Sequence, residues 1–290
     1  METEKERHFK RETTEELNIM YKVFLASENS MMANAINEEL EKRVGVEAEL
    51  KKINHFSENL KFPIIKTVEN FYSDLIKHKN HRYMSWEHCF NAFQKPEHST
   101  DKDYLSLQLA FYLASWGMYR GSSALLWKDY KIHYETVNII QGYDTIRCCS
   151  DKEIDKNQIE KIITAKDDIA KHYREVEYIK PTNEGEKKGF ITATDTLITK
   201  ILLGTLGCVP AYDRLLLIGL KEEKIEKSFN KKSLNSLFDF INNNIADLKA
   251  VQEKINQKEG CYYPIMKIVD MYFWEVGRIK SPQLAEIGDN

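Results

Sequence analysis

The sequence predicts an all-α protein of about twelve helices, and three observations lead to this class. Apolar side chains recur at helical spacing along most of the chain, whereas runs that alternate apolar and polar residues are scarce. Only 12 Gly and 6 Pro stand among 290 residues, fewer turn formers than a sheet protein with many turns needs. With 42% hydrophobic residues, the chain can bury a substantial core as one large domain or as two lobes.

Apolar stripes and capping signals place the helices along the chain. Residues 1–11 are charged and are expected to fray, and residues 13–16, Thr-Thr-Glu-Glu, then resemble a cap for the first helix. Pro63 marks a boundary before a strongly amphipathic helix. Pro264 begins the last helix, which is expected to end at Gly277. The predicted helices are 17–25, 31–43, 47–60, 64–76, 85–94, 105–116, 124–140, 159–178, 197–206, 214–220, 234–251 and 264–277.

The connections between these helices predict the domain organisation. Residues 142–155 are expected to form a linker, and the mixed charges of residues 221–232 are typical of a solvated face or loop. Residues 180–189, KPTNEGEKKG, have the turn formers and charge of an exposed loop. We therefore expect a boundary there between two helical lobes, 1–180 and 181–290.

Charge and cysteine content bound the compartment. The net charge is −3, yet residues 180–232 carry 10 Lys/Arg against 7 Asp/Glu, a local excess of +3. The five cysteines form no C-x-x-C pair, which favours free thiols in a reducing compartment. The charged first dozen residues do not resemble a signal peptide, and no apolar run of 18 residues could span a membrane. We expect a cytoplasmic protein without a membrane partner.

The stretch around Asp213 is the most informative one for chemistry. An apolar helix is expected to stop at Gly207, Pro210 keeps the next residues non-helical, and Asp213 can cap a second helix that starts at Arg214. Unpaired N–H groups and the helix dipole at such a position stabilise a carboxylate by roughly 0.3–1 kcal/mol. Asp213 is therefore either a catalytic carboxylate or only an N-cap.

Residues 116–123, WGMYRGSS, form the second informative stretch. Its two glycines allow a close approach of the backbone, Arg120 offers a planar fork for phosphate, and Ser122 or Ser123 can cap a helix whose N–H groups bind an anion. The alternative is a tight helix–turn–helix corner with Trp116 and Met118 packed inside. The two interpretations do not exclude each other.

Two other parts of the sequence carry residues of the kind found in metal or catalytic sites. His78 with His81, and His88 with Cys89, lack a third ligand at matching spacing, so no metal site is predicted. Asp270, on the last helix, is a second candidate for a buried carboxylate, although a salt bridge is the commoner fate of such a residue. Motifs for nucleotide cofactors, hydrolases and zinc deaminases are absent, and no cofactor is expected.

Leu206-Gly207, Pro210, Asp213 and the following helix resemble the second half of the helix-hairpin-helix DNA glycosylase signature, in which the aspartate faces the sugar of a flipped nucleotide. About thirty residues carry the resemblance. Residues 190–194, FITAT, stand where that family has a glycine-rich turn. No lysine aligns with the usual lyase position, so the resemblance implies a monofunctional enzyme.

The resemblance implies a site in which Asp213 stabilises positive charge on the sugar of double-stranded DNA that carries a modified base. Trp116, Tyr212 and Tyr119 are then candidates for stacking on the base. Candidates for phosphate contacts are Arg120, Ser122, Ser123, Lys187, Lys188, Lys200 and Arg214.

Three functions follow as hypotheses. The first is a glycosylase, similar to enzymes specialised for a bulky base such as the glucosylated hydroxymethylcytosine of some bacteriophages, with repair of damaged bases as its alternative. The second is a non-catalytic nucleic-acid-binding module, and the third is a helical scaffold.

Overall fold

The structure is a computed structural model that describes residues 62–281, except 122, 152–155, 184 and 259, together with six earlier residues. These six are all helical: Leu17, Ile36, Glu39, Leu40, Lys42 and Arg43. The predicted helix 47–60 lies outside the described residues, as does most of the helices predicted at 17–25 and 31–43. The chain divides into two compact units, Met1–Lys61 and Phe62–Asn290.

Ten helices and one β hairpin make up the described part of the second unit, which is mostly helical as predicted. None of these helices is both long and apolar enough to cross a membrane. In chain order the elements are α1 Ile64–Lys77, α2 Ser85–Gln94, α3 Lys102–Ser115, α4 Tyr134–Gly142, α5 Lys156–Arg174, β1 Glu177–Thr182, β2 Gly185–Phe190, α6 Asp195–Thr205, α7 Arg214–Glu222, α8 Lys231–Asn243, α9 Ile245–Asn256 and α10 Ile265–Lys280.

Two of the predicted helices are interrupted by side chains that compete for backbone hydrogen bonds. Residues 124–133 form two 3-10 turns, because Ser123 and Asp129 accept from the N–H groups of Leu125 and Lys131 and start each turn anew. The helix predicted at 234–251 is two helices, which meet at Asn244. The three consecutive asparagines there are poor helix formers, since their amides bond to nearby backbone groups.

The segment predicted as a loop at 180–189 is instead an exposed antiparallel hairpin, and α5 ends at Arg174 rather than at Tyr178. Tyr178 and Ile179 favour an extended backbone, and Gly185, with φ +117°, completes the turn. The register places Lys180 directly opposite Lys187. The lobe boundary expected near residue 180 remains a prediction.

Helices α7 and α10 pack closely against each other, and two glycines make this contact possible. A Cβ atom added at Gly277 would lie 1.9 Å from the Leu215 carbonyl oxygen, and one added at Gly219 would lie 2.1 Å from that of Phe273. Gly277 was expected to end the last helix, but α10 continues to Lys280. Gly277 thus allows α7 to pack against α10. This contact helps to position Asp213, which lies at the start of α7.

We predict that Gly277→Ala lowers the free energy of unfolding by roughly 3 kcal/mol, because the added methyl group would clash with the backbone of α7 at Leu215. Gly142→Ala is the control, since nothing lies within 4 Å of the Cβ atom added there. That variant should be neutral or stabilise the protein by up to about 1 kcal/mol. Urea denaturation measures both, and equal effects at the two positions would contradict the packing described.

Candidate active site

Asp213 lies at the N-terminus of α7, as the sequence predicts. Gly207, with φ +59°, ends the preceding helix, and residues 207–213 are not helical. The Asp213 Oδ1 atom accepts a hydrogen bond from the Leu216 N–H at 3.1 Å. The capping role is therefore confirmed, and a second role depends on what else surrounds the carboxylate.

The segment that carries Asp213 is anchored on both sides. Thr199 Oγ1 accepts from the Tyr212 N–H at 2.8 Å, and Thr196 Oγ1 donates to the Tyr212 carbonyl at 2.9 Å. On α10, Asp270 Oδ1 accepts from the Ala211 N–H at 2.9 Å. These bonds fix the backbone of the two residues before Asp213.

Lys200 forms an ion pair with Asp213. Its Nζ atom lies 3.6 Å from Asp213 Oδ2, and its side chain is only 5% exposed, against 17% for that of Asp213. The same ammonium group donates to the Trp116 carbonyl at 3.1 Å. Two partners inside the protein thus share the Lys200 ammonium group, and the phosphate contact predicted for Lys200 stays a prediction.

A second buried pair lies beside the first. Lys267 Nζ donates to Asp270 Oδ2 at 2.8 Å, and both side chains are at most 6% exposed. Asp270 thus has the salt bridge that was expected as its commoner fate. The ammonium groups of Lys200 and Lys267 lie 5.1 and 5.3 Å from the centroid of the Trp116 ring. Both lysines therefore make cation–π contacts with the same indole.

Burial and the charge of Lys200 have opposite effects on the pKa of Asp213. Burial raises the pKa of Asp213 above its ordinary value, the Lys200 ammonium lowers it, and the nearby Asp270 carboxylate raises it again. Burial likewise lowers the pKa of Lys200, and the two carboxylates oppose that change. Lys200 is therefore the main side chain that favours the ionised form of Asp213.

Aromatic rings lie beside the Lys200–Asp213 pair. Tyr83 stacks on Trp116 with ring centroids 4.4 Å apart and an interplanar angle of 20°. Trp274 of α10 approaches Tyr83 edge-on, with centroids 5.9 Å apart. Tyr83 belongs to a 3-10 turn, Arg82–Met84, between α1 and α2.

These groups line one open cavity of about 520 Å³. It brings together five of the site residues that the sequence predicted, namely Asp213, Trp116, Arg120, Lys200 and Arg214. Its remaining lining residues are Arg82, Tyr83, Ala114, Ser115, Gly117, Met118, Thr196, Leu215 and Trp274. A carboxylate, a lysine, stacked rings and three arginines thus share one pocket.

The corner at residues 116–121 supplies Trp116 and Arg120. Gly117 and Gly121 have φ values of +76° and +62°, and the Arg120 guanidinium packs over Gly117, where an added Cβ would meet Nε at 2.8 Å. Ser123 does not open a long helix as proposed for an anion site: a four-residue 3-10 turn follows, and the Ser123 hydroxyl itself accepts from Leu125 N–H. Ser122 lies outside the described residues.

Two predicted stacking residues do not line the pocket. Tyr212 is 1% exposed, packs on Phe229 and bonds Ser233 through its hydroxyl, so neither face of its ring is open to a base. The Tyr119 hydroxyl lies 2.7 Å from His133 Nε2, and the other ring nitrogen of this buried histidine lies 2.6 Å from the Tyr173 hydroxyl. Burial of the ring contradicts the stacking predicted for Tyr212, whereas the stacking predicted for Tyr119, which does not line the cavity, stays a prediction.

Lys187 and Lys188 are exposed on strand β2, outside the pocket lining. Sequence reasoning missed Tyr83, Trp274 and Arg82, which join the pocket from distant parts of the chain. Tyr83 follows a polar turn with no motif, and Trp274 lies within an apolar helix where core packing is the ordinary expectation.

The described residues offer no cluster of three His, Cys, Asp or Glu side chains that could hold a metal ion. The five cysteines are free. Comparisons with protein-family models, with curated proteins and with solved structures found no match for this chain.

We predict that Lys200→Met raises the pKa of Asp213, because it removes the main group that stabilises the carboxylate in a buried setting. Lys200→Arg keeps the charge and should leave that pKa closer to the unsubstituted value. A carboxyl-carbon NMR titration measures the change, with circular dichroism to establish that each variant folds. A lowered or unchanged pKa in Lys200→Met would show that the pair does not control Asp213.

Proposed function

We propose that this protein is a monofunctional DNA N-glycosylase that hydrolyses the bond between a modified base and its sugar. One observation carries the proposal: a carboxylate at a helix N-terminus shares a cavity with a lysine, stacked aromatic rings and three arginines. We further propose that the fold is related to the helix-hairpin-helix glycosylases, on the resemblance around Asp213.

The cavity suits the first requirement of base chemistry in a duplex. A base must leave the helical stack before an enzyme can reach its glycosidic bond, and the extruded nucleotide needs a pocket of its own. The cavity volume of about 520 Å³ is within the range of small-molecule sites and leaves room for a base with a bulky substituent.

Asp213 supplies the second requirement. As the base departs, positive charge develops on the sugar, and a carboxylate that is already fixed in place stabilises that charge. Lys200 favours the ionised form of Asp213, and the same carboxylate can orient the attacking water. Lys200 acts as a positioning residue in this scheme.

Arg120 and Arg214, which line the cavity, are suited to phosphates on either side of the extruded nucleotide, since a guanidinium matches phosphate geometry. Lys187 and Lys188, on the exposed hairpin, are proposed as outer contacts with the duplex. Substrate DNA would thus be held mainly through its backbone.

As the substrate we propose DNA with a bulky modified base, such as glucosylated hydroxymethylcytosine, and a role in defence against phages whose DNA carries it. The resemblance and the size of the cavity both favour this class. Repair of alkylated or oxidised bases uses the same chemistry and differs in which base is released.

We predict that Asp213→Asn lowers the single-turnover rate of base release by at least about 100-fold while DNA binding is retained. The amide keeps an oxygen that can accept from Leu216 N–H, so the cap on α7 survives. Asp101→Asn is the matched control, because Asp101 caps α3 through Tyr104 N–H and does not line the cavity. Strand cleavage by alkali after incubation with glucosylated phage DNA measures the abasic sites.

The same cleavage assay on DNAs with other modified bases, together with a measurement of DNA binding, distinguishes four outcomes. Release of the glucosylated base supports the full proposal, whereas release of only uracil, alkylpurines or oxidised guanine indicates a repair enzyme. DNA binding without release of any base indicates a binding module. Equal loss of activity in Asp213→Asn and Asp101→Asn would show that helix capping, and not chemistry, explains the effect.

A further prediction concerns the hairpin, where Lys180 and Lys187 stand directly opposite each other. Lys187→Glu should weaken DNA binding and flatten its salt dependence, because one phosphate contact is lost. The same change should leave thermal stability equal or slightly higher, since an opposite-charge pair replaces a like-charge pair.

Lys249→Glu, at an exposed lysine on α9, is the control for net charge. Equal loss of DNA affinity in the two variants would assign the effect to overall charge. Unchanged affinity in Lys187→Glu would remove the hairpin from the DNA surface.

A further inference from the structure

Residues 77–82, KHKNHR, form a basic segment that leads from the last residue of α1 into the 3-10 turn that contains Tyr83. The basic segment holds two lysines, one arginine and two histidines, and no acidic residue. A run of like charges is commonly only a solvated surface. A role in binding therefore depends on where the structure places these side chains.

The backbone of the basic segment forms a defined turn. The His78 carbonyl accepts from the His81 N–H at 3.2 Å, and Asn80 has φ +63°, in the left-handed region that asparagine tolerates better than most residues. His81 Nδ1 then accepts from the Tyr83 N–H at 3.3 Å. The exposed side chains of the segment are those of Lys77, His78, Lys79, Asn80 and Arg82. A turn that is already folded loses little backbone freedom when it binds an anion.

The basic segment lies beside the cavity that contains Asp213. Arg82 lines that cavity, whereas Lys77, His78 and His81 line a second cavity of about 210 Å³. Tyr83 and Trp274 line both, so the two cavities share a wall. Cationic groups therefore extend from the candidate active site to the end of α1.

Two acidic side chains also line the second cavity. Glu275 is only 1% exposed and accepts from Arg278 Nε at 2.7 Å and from Arg278 Nη2 at 2.5 Å, so its charge is balanced within the protein. Asp74 is exposed on α1. The charged groups of the basic segment and this cavity, apart from histidines, are Lys77, Lys79, Arg82 and Arg278 against Asp74 and Glu275. Positive charge is thus in excess on this surface.

We propose that the basic segment binds phosphates of duplex DNA next to the nucleotide that is held at Asp213. This inference rests on the proposed function and adds a contact surface that the sequence analysis did not assign. A duplex carries one negative charge per about 1.7 Å of its axis, so DNA with one nucleotide in the first cavity brings further phosphates to the neighbouring surface. Exposed lysines and arginines hold such phosphates without reading the base sequence.

The test removes two charges of the segment, in Lys77→Gln/Lys79→Gln, and leaves Arg82 in place. Affinity is measured at several salt concentrations for a short duplex that carries glucosylated hydroxymethylcytosine, in the Asp213→Asn background. Loss of two phosphate contacts should reduce the slope of log affinity against log salt by about 1.8. The weakening of affinity should then be about 12-fold greater at about 50 mM than at about 200 mM salt.

Two other double variants make the result specific. Lys77→Arg/Lys79→Arg keeps both charges and should bind as the parent does. Lys171→Gln/Lys249→Gln is the matched control, because both lysines are exposed on α5 and α9 and line neither cavity. It should keep the salt slope of the parent. Thermal melting establishes that every variant is folded.

An unchanged salt slope in Lys77→Gln/Lys79→Gln would refute the inference, and an equal change in the control would assign the effect to net charge. Tighter binding of double-stranded RNA of the same sequence would assign the segment to RNA instead. If the wild-type protein releases the modified base while the slope is unchanged, only this inference fails. If the slope changes as expected but no base is released from any DNA, the proposed function fails and the basic segment remains a DNA-binding surface.

Discussion

Four charged side chains lie buried around Trp116 as two lysine–aspartate pairs, Lys200–Asp213 and Lys267–Asp270. A buried charge without its partner is costly, and removing one member of such a pair typically destabilises a protein by about 3–5 kcal/mol. The pairs connect α6, α10, the end of α3 and the segment before α7. The arrangement of these four parts of the chain is thereby constrained by the need to keep each charge paired.

This constraint also determines the chemistry of the pocket. Asp213 is buried enough that its pKa is raised, yet Lys200 opposes that change at 3.6 Å. Asp270 accepts from the Ala211 N–H while Lys267 balances its charge, so the carboxylate that fixes the loop before α7 is itself paired. A fixed carboxylate that needs no rearrangement is the kind of group that stabilises developing positive charge well.

Local signals in the sequence predicted part of this site. Gly207 as a helix stop, Asp213 as an N-cap and the corner from Trp116 to Gly121 all depend on a few neighbouring residues. Tyr212 was misplaced because successive side chains of extended backbone point to opposite sides, so that Asp213 lines the cavity while Tyr212 enters the core. Tyr83 and Trp274 come from distant segments, and their meeting depends on tertiary packing that no spacing along the chain encodes.

The most direct test of the account is a crystal structure of the Asp213→Asn protein bound to a duplex that carries glucosylated hydroxymethylcytosine. The account predicts one extruded nucleotide, with its base in the cavity that Tyr83 and Arg120 line and with its C1′ atom facing the side chain at position 213. A duplex bound elsewhere on the protein, or a target nucleotide that stays stacked in the helix, would contradict it.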